Sequence, residues 1–374
     1  MLYRPFGKIG SVSSLGFGCM RLPTREDGHV DESLAIPLLR RGYALGINYF
    51  DTAYYYCNEE SQYVVGRAVK PFRDQILLST KLPLGDTADR LFFRQTLEEQ
   101  LRRLDTSYID VYHFHALNRK KFDEVVLAND MLVDARRAID EGLIRHISFS
   151  FHDKPDAMVD IIERGEMFSS VLCQYNLLDR ANEEQIEKAH DRGLGVVIMG
   201  PVGGGRLGGA SILSEKVAQT FTATPELALR FVLGNSNVSC ALSGMQNLTQ
   251  LEQNAAVASD ETPMSPDMFQ RVNAALKEIE RFNDLYCTGC GYCQPCPMGV
   301  DIPGIFKAYN MEYVYGLTDY ARAQYRQLSE KAGLASASSA CVGCRSCIKK
   351  CPQNLDIPTH LKAIDAWYGK PDRT

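Results

Sequence analysis

The feature that most constrains the fold is an eightfold alternation of short apolar or aromatic runs with longer amphipathic segments. Segments such as DESLAIPLLRRGYALG show helical periodicity, and several end at glycine, which commonly terminates helices. Strands that alternate with helices predict parallel βαβ units. The runs are LGFG (15–18), INYFD (47–51), QILLSTK (75–81), IDVYHFH (109–115), RHISFS (145–150), SVLCQYN (170–176), GVVIMG (195–200) and VSCALSG (238–244).

A doubly wound sheet and a (β/α)8 TIM barrel both accommodate this alternation. The count of eight and the polar residues at the ends of many strands favour the barrel, whose active sites form at the strands' C-terminal ends. The opening LYRPFGKIGSV predicts a hairpin with Gly7 and Gly10 near its turn, and SPDMFQRVNAALKEIERF predicts one further helix. Because a barrel needs about 250 residues, we predict that it spans residues 1–282 of the 374 and that 283–374 form a second domain.

Composition and charge exclude several classes of protein. Hydrophobic residues make up 45% and charged residues 23%, as is ordinary for a globular chain. The net charge is −5 and no Lys/Arg run stands out, so we expect no nucleic-acid or anionic-membrane surface. The N-terminus MLYRPFGKIG lacks the apolar segment of a signal peptide, and no apolar run approaches the about 18 residues of a spanning helix. We therefore expect a cytoplasmic protein.

Ionisable residues end three consecutive predicted strands. They are Asp51, Lys81 and His115, and Tyr56 follows Asp51 in the next loop. When a hydride reaches a carbonyl carbon, the oxygen gains negative charge and needs a proton donor. Tyr56 can supply that proton if a neighbouring Lys81 ammonium, paired with Asp51, lowers its pKa. His115 can orient the substrate oxygen. One such residue alone would be explained by packing or a salt bridge, but four at one barrel end predict catalysis.

These residues carry a family resemblance. GINYFDTAYYY, ILLSTK and YIDVYHFH resemble the catalytic segments of the aldo-keto reductase family, and the resemblance covers nearly all of residues 1–260. It implies a catalytic tetrad of Asp51, Tyr56, Lys81 and His115. It also implies an oxidoreductase that interconverts a small-molecule carbonyl and an alcohol with NADPH or NADH.

The same resemblance implies where the nicotinamide binds, since the chain has no Rossmann glycine fingerprint. Ser150 and Gln174 match positions that hold the carboxamide, and the PVGGGRLGG loop matches barrel phosphate sites. The chain departs from better-known members at Phe151 and Met199, and the loop from Ser243 to Asn254 has no Lys or Arg for the NADPH 2′-phosphate. The full cofactor-binding set is Ser150, Gln174, Gly200, Gly204, Arg206, Gly244, Gln250, Gln253 and Asn254.

Eight of the twelve cysteines lie in the tail, in two motifs. In a reducing compartment such a cluster indicates metal or redox ligation rather than disulfides. The second motif has the bacterial spacing for a 4Fe–4S cluster, and the first is one residue short at its last interval. Zinc, bound by pairs of Cys-x-x-Cys, is the alternative. The motifs are Cys287-x-x-Cys290-x-x-Cys293-x-x-Cys296-Pro and Cys341-x-x-Cys344-x-x-Cys347-x-x-x-Cys351-Pro.

The two motifs end alike, in CPMGVDIP and CPQNLDIP, which indicates a small internal repeat. In two-cluster ferredoxins the cysteine before proline serves the other cluster. We therefore predict two 4Fe–4S clusters with crossed ligation, in which Cys351 joins the first triplet and Cys296 joins the second. The 44 residues between Cys296 and Cys341 make the tail resemble an α-helical ferredoxin, and the whole chain resembles the iron–sulfur branch of the aldo-keto reductases found in anaerobic microbes.

Three functional hypotheses follow. In the first, the barrel is the reductase and the clusters are structural or sensory. In the second, the protein is an electron-transfer enzyme that takes electrons from a ferredoxin-like partner and has little NAD(P)H-dependent activity. In the third, it is a binding or electron-carrying module on an inactive barrel, against which the intact tetrad argues. A nicotinamide moves two electrons as a hydride whereas a 4Fe–4S cluster moves one, and no flavin motif is visible to mediate between them.

Overall fold

A computed structural model describes residues 1–85, 90–177, 179–203, 207, 224–262, 264–279, 287, 289–315, 318–334 and 337–368. These pack into two compact units. One comprises residues 1–201 and 228–264, and the other comprises 202–227 and 265–374. The predicted domain boundary between residues 282 and 283 lies outside the described residues and stays a prediction.

The first unit is a closed barrel of eight parallel strands, which confirms the predicted TIM-barrel fold. Closure occurs where the last strand pairs with the first, at Ala241 opposite Leu15. Nearly all strand residues are buried, because side chains alternate between the barrel interior and the helices outside. The strands are β3 (Leu15–Gly18), β4 (Tyr49–Asp51), β5 (Leu77–Leu82), β6 (Ile109–Leu117), β7 (Ile144–Phe151), β8 (Ser170–Gln174), β9 (Gly195–Met199) and β10 (Cys240–Ser243).

Helices follow most of the strands and cover the outside of the barrel. The first begins at an Asp31 cap, whose side chain accepts a hydrogen bond from the Ser33 backbone amide. The helices are α1 (Glu32–Ala44), α2 (Ser61–Val69), α3 (Arg90–Arg103), α4 (Arg119–Lys121), α5 (Met131–Asp140), α6 (Pro155–Arg164), α7 (Glu183–Asp191), α8 (Thr224–Gly234) and α9 (Leu248–Ala258), with 3-10 turns at Gly7–Ile9, Cys19–Arg21 and Lys70–Gln75 and a π turn at Phe122–Leu127.

The predicted N-terminal hairpin is present and closes the bottom of the barrel. Its strands β1 (Tyr3–Pro5) and β2 (Ser11–Ser13) are antiparallel. Phe6, in the turn, is fully buried and its ring meets Tyr49 edge-on at 5.7 Å. A side chain at Gly195 would collide with Phe6, since an ideal Cβ there would lie 2.0 Å from the ring. The hairpin therefore fills the N-terminal end of the barrel interior, and the C-terminal ends of the strands are the end at which barrel active sites form.

The second unit is helical where it is described. Its core includes Val300, Ile305, Phe306, Leu355 and Ile364. Two of its helices lie between the two cysteine motifs. The helices are α10 (Pro266–Ile279), α11 (Ile302–Tyr315), α12 (Thr318–Ala332), α13 (Ser346–Lys350) and α14 (Ile357–Tyr368). In the part of the chain that is described, no helix has the length and apolar character needed to cross a membrane.

Candidate functional site

The register of neighbouring strands brings the predicted catalytic residues together at one end of the barrel. Asp51 at the end of β4 lies opposite Ser79 of β5, and Lys81 lies two residues further along β5. In β6, His113 lies opposite Lys81, and His115 follows two residues later. Because residues two apart on a strand share a face, these side chains converge in the barrel mouth.

Lys81 and Asp51 form a buried ion pair whose geometry is fixed on both sides. Lys81 Nζ donates to Asp51 Oδ2 at 2.6 Å and to the Thr52 carbonyl oxygen at 2.8 Å. The second carboxylate oxygen, Oδ1, accepts a hydrogen bond from Ser79 Oγ at 2.8 Å. Lys81 is only 1% exposed and Asp51 3%. The ammonium therefore has one defined position in a medium where its charge acts strongly.

Tyr56 lies over this ammonium, on the loop after β4. Lys81 Nζ is 4.7 Å from the centre of the tyrosine ring, and the ring meets His115 edge-on at 6.2 Å. Three consecutive residues after Tyr56, Cys57, Asn58 and Glu59, have positive φ angles of 52°, 53° and 69°. Such left-handed non-glycine residues cost on the order of 1 kcal/mol each and cluster at functional sites. The loop thus stores strain next to Tyr56.

His115 is buried, and its environment keeps it neutral. Burial lowers the pKa of His115 well below its ordinary value, and the charge of Lys81 lowers this pKa further. A neutral imidazole can still donate one hydrogen bond to a substrate oxygen. Burial also lowers the pKa of His152, just beyond β7, to about 4. Histidines near the barrel mouth therefore act as dipoles rather than as cations.

Sequence reasoning missed a buried polar network beneath the ion pair. His113 Nε2 is 3.0 Å from Ser79 Oγ and 3.3 Å from the Tyr49 hydroxyl, and all three residues are fully buried. Ser79 in turn donates to Asp51, so the network extends from the barrel interior to the lysine. The available signal was the period of two along the strands, which places Ser79 on the face of Lys81 and His113 on the face of His115.

The structure places the predicted carboxamide-binding residues at neighbouring strand ends. Ser150 Oγ accepts a hydrogen bond from the Ala116 backbone amide at 2.8 Å. Gln174 ends β8, and Gly200 follows β9 with a φ of +63°. An ideal Cβ at Gly200 would lie 2.9 Å from the amide nitrogen and oxygen of Gln174, so only glycine leaves that amide room. Gly204 and Arg206 lie outside the described residues.

The remaining predicted cofactor residues follow β10. Gly244 is exposed directly after the strand, and Gln250 and Gln253 are exposed on α9. Asn254 is buried, and its Nδ2 donates to Ser243 Oγ at 3.1 Å. The helix begins at an Asn247 cap. The exposed first turn of this helix therefore follows the end of the strand closely, and helix N-termini favour anions.

The tail cysteines line two cavities, each of which contains residues from both motifs. The first cavity is lined by Cys296 together with Cys341, Cys344 and Cys347, and Cys293 lines it as well. The second cavity is bordered by Cys287, Cys290 and Cys293 together with Cys351. Each triplet thus meets the proline-linked cysteine of the other motif. Thiolates in groups of four are the donor set of 4Fe–4S clusters.

The two halves of the tail repeat the same local geometry. Gly299 N bonds to Cys296 O at 2.9 Å, and Asn354 N bonds to Cys351 O at 3.1 Å. Gly299 and Asn354 both have left-handed φ, at 69° and 52°. In each half the chain then enters a helix at Asp-Ile-Pro, α11 or α14. The repeated CP-to-DIP segments are therefore equivalent turns, each of which leads from a fourth cysteine into a helix.

Neighbouring thiols influence one another within the same groups. Burial, together with the charges of Cys287, Cys290 and Cys351, raises the pKa of Cys293 to about 12. Burial also raises the pKa of Cys347, to which its own triplet and Cys296 contribute. Within the described ranges, no three His, Cys, Asp or Glu side chains gather closely enough to hold a single metal ion.

Comparison with known families agrees with this architecture. The model of the aldo/keto reductase family matches residues 14–277, and that of the 4Fe-4S dicluster domain matches residues 286–357. An uncharacterized oxidoreductase of Schizosaccharomyces pombe is 27% identical over 282 residues, which cover 71% of this chain and 88% of that protein.

Solved structures show the same barrel. The holo form of the aldo-keto reductase AKR11C1 from Bacillus halodurans superposes with a TM-score of 0.62 at 28% identity, covering 74% of this chain and 96% of that one. An aldo/keto reductase from Klebsiella pneumoniae, solved with NADP and acetate, has a TM-score of 0.61 at 22% identity, covering 73% and 94%. None of these matches extends over the whole chain. The combination of a reductase barrel with a cysteine-rich tail is therefore shown by the two family models together.

Proposed function

The chain belongs to the aldo/keto reductase family and carries a 4Fe-4S dicluster domain, and from this premise we propose that it interconverts a small-molecule carbonyl and its alcohol, with Tyr56 as the proton donor. The observation that carries the proposal is the position of the Lys81 ammonium, which is bonded to Asp51 and lies 4.7 Å from the Tyr56 ring. A nicotinamide, when bound, supplies the hydride that adds to the carbonyl carbon.

The chain's own residues manage the proton. As negative charge develops on the substrate oxygen, the Tyr56 hydroxyl transfers its proton to that oxygen. The Lys81 ammonium stabilises the phenolate that remains, and Asp51 keeps the ammonium in place. Neutral His115 donates a hydrogen bond that orients the oxygen. The reverse reaction uses the same residues with Tyr56 as the base.

Tyr56→Phe tests this assignment. We expect carbonyl reduction to fall by at least about 100-fold, which is the usual scale of general acid catalysis. Tyr55→Phe is the matched control, because Tyr55 is the adjacent tyrosine and is 58% exposed. It should retain wild-type turnover. Near-normal turnover by a folded Tyr56→Phe variant would contradict the proposal.

The nicotinamide would be held by Ser150 and Gln174 at the carboxamide and by the loop after β9 and the start of α9 at the phosphates. The segment from Ser243 to Asn254 contains no Lys or Arg. We therefore propose at most a weak preference for NADPH over NADH. Isothermal titration of both cofactors measures this, and NADPH binding tighter by about 100-fold, or about 2.7 kcal/mol, would refute it.

For the tail we propose two 4Fe–4S clusters with crossed ligation. Cys287, Cys290, Cys293 and Cys351 would hold one, and Cys341, Cys344, Cys347 and Cys296 the other. The support is that each set borders one cavity and that the donors are all thiols. When bound, such clusters supply one-electron transfer, so we further propose a ferredoxin or a similar carrier as the partner.

Iron content and EPR spectra of anaerobically purified variants test the crossing. Cys351→Ala should perturb the cluster of the first triplet, and Cys296→Ala that of the second. Cys173→Ala is the control, because Cys173 is a buried barrel residue and should leave the iron content unchanged. If Cys351→Ala perturbs only the cluster of its own motif, ligation is local. Zinc in place of iron would refute the cluster proposal altogether.

Whether the clusters take part in turnover is a separate question. Steady-state oxidation of NAD(P)H with a panel of carbonyl compounds, before and after oxidative destruction of the clusters, distinguishes the alternatives. Unchanged rates would assign the clusters a structural or sensory role, and loss of activity would assign them a place in the electron path.

A further inference from the structure

The two cysteine cavities differ in charge. Arg345 and Lys350 line the first cavity, and none of its described lining residues is a carboxylate. The described residues that line the second cavity are glycine, glutamine and apolar residues besides its cysteines, and none of them is charged. The repeat that makes the two halves alike in backbone therefore does not extend to their electrostatics.

The two cavities also differ in exposure. Cys344, on the first cavity, is exposed, and beside it Val342 is 66% exposed and Met298 45%. None of the four cysteines that line the second cavity is exposed. A one-electron partner must bring its own centre close to a cluster, and large exposed apolar side chains that adjoin one another commonly mark interaction surfaces. The first cavity is therefore the one with an exposed cysteine beside exposed apolar side chains.

Arg345, Lys349 and Lys350 form what we call the basic patch. All three are exposed, and the two lysines lie in the last turn of α13. Asp356 approaches Arg345 at 3.5 Å, but both side chains are largely exposed, so this pair neutralises little. The whole chain has a net charge of −5 and is not expected to attract anions non-specifically. Attraction of an acidic partner would therefore depend on a local group of positive charges such as the basic patch.

We propose that the basic patch, together with Val342 and Met298, is the docking surface for a small acidic one-electron carrier of the ferredoxin type, and that electrons enter or leave at the cluster of the first cavity. This inference rests on the proposed cluster assignment. In the inward direction one electron passes from the reduced carrier to the oxidised cluster. The carrier is oxidised by one electron, the cluster is reduced by one, and no bond or proton moves.

The chemistry of the surface selects this kind of partner. Electron-transfer encounters use small, weak interfaces, and charge complementarity gives them orientation and a fast association. A few apolar side chains within a cationic rim, beside an exposed ligand cysteine, provide such an interface. Among the described residues that line the second cavity there is no charged side chain and no exposed cysteine, so we place that cavity further along the electron path.

Isothermal titration of the anaerobic, cluster-loaded chain with a plant-type 2Fe–2S ferredoxin of acidic surface tests the proposal. We expect measurable binding that weakens as salt is added, because exposed charges are screened. R345E/K350E should weaken binding by about tenfold or more at low salt, and the difference should shrink at high salt. K331E is the matched control, since Lys331 is exposed on α12 and borders neither cavity. It should bind as the wild type does.

A second variant guards against loss of the cluster. K349E reverses an exposed charge that does not line the first cavity, so the ligand environment is retained and weaker binding is still expected. Equal affinity of the wild type, K331E and the patch variants, or no ferredoxin binding by a chain with full iron content, would overturn the docking surface while leaving the proposed function intact. A chain without iron would overturn both the docking surface and the proposed clusters. Unchanged turnover in Tyr56→Phe would affect only the proposed reductase.

Discussion

Breaking the Asp51–Lys81 pair from one side should cost more stability than removing it entirely. The two side chains are 3% and 1% exposed and their charged atoms are 2.6 Å apart. Removing one partner of such a pair leaves a buried, uncompensated charge and typically costs about 3–5 kcal/mol. Asp51→Ala leaves the ammonium with only the Thr52 carbonyl oxygen, and Lys81→Met leaves the carboxylate with Ser79. We expect each to cost about 3 kcal/mol or more.

In the double variant neither charge remains. We expect its loss of stability to be smaller than that of either single variant, because replacing both members of a buried ion pair is often near neutral whereas removing one member leaves an unpaired charge. Adding Lys81→Met to Asp51→Ala should therefore restore part of the stability. It should not restore carbonyl reduction, because the ammonium beside Tyr56 is still absent. Recovery of stability without recovery of activity is the result expected if the ion pair serves the chemistry.

Urea unfolding followed by far-ultraviolet circular dichroism measures this cycle. The single tryptophan, Trp367, lies in the second unit, so its fluorescence reports that unit separately and identifies the transition that belongs to the barrel. Arg67→Met is the matched control, because Arg67 pairs with Glu32 at 2.6 Å with both side chains about half exposed. It should cost at most about 1 kcal/mol.

Additive losses from the two single variants, within about 0.5 kcal/mol, would refute the reasoning, because distant and independent sites behave that way. So would a double variant that regains reductase activity along with its stability. Either result would mean that the ion pair seen in the barrel mouth does not govern both properties.

Three further perturbations test other parts of the barrel. Ser79→Ala removes the hydrogen bond to Asp51 Oδ1. We expect kcat to fall by about tenfold, KM to stay unchanged and the pH profile of kcat to shift. An unchanged pH profile would contradict the role of Ser79 in positioning Asp51. Gly66→Ala would place a Cβ 2.4 Å from a backbone carbonyl oxygen and should cost about 1–3 kcal/mol by urea unfolding, whereas Gly234→Ala, whose nearest contact is 3.7 Å, should be near neutral. His152 has a pKa of about 4 in the folded chain and about 6.5 in the unfolded chain, so between these pH values only the unfolded chain binds the proton and the free energy of unfolding falls as pH decreases. His152→Gln should make the free energy of unfolding depend less steeply on pH in this range. An identical pH dependence would count against this prediction.

The sequence by itself determined the elements and much of the site. All eight strand runs became strands, because continuous apolar runs bounded by helices and glycines have few alternatives to buried parallel strands. Asp51, Lys81 and His115 could be predicted as neighbours because successive strands of a barrel are adjacent and all end on one face. The cysteine spacing and the repeated CP-to-DIP turns are local features as well, so they too could be read without the fold.

The tertiary structure alone decided what depends on register and closure. His113 is 34 residues from Ser79 and 64 from Tyr49 along the chain, and only the pairing of β4, β5 and β6 joins the three beneath the ion pair. The cavities likewise combine cysteines from two motifs, and the difference in charge and exposure between them follows from how the helices fold around each triplet. Periodicity and spacing act over a few residues, whereas a buried hydrogen bond or a shared cavity requires distant segments to be placed to within about an ångström, a precision that only the packed core supplies.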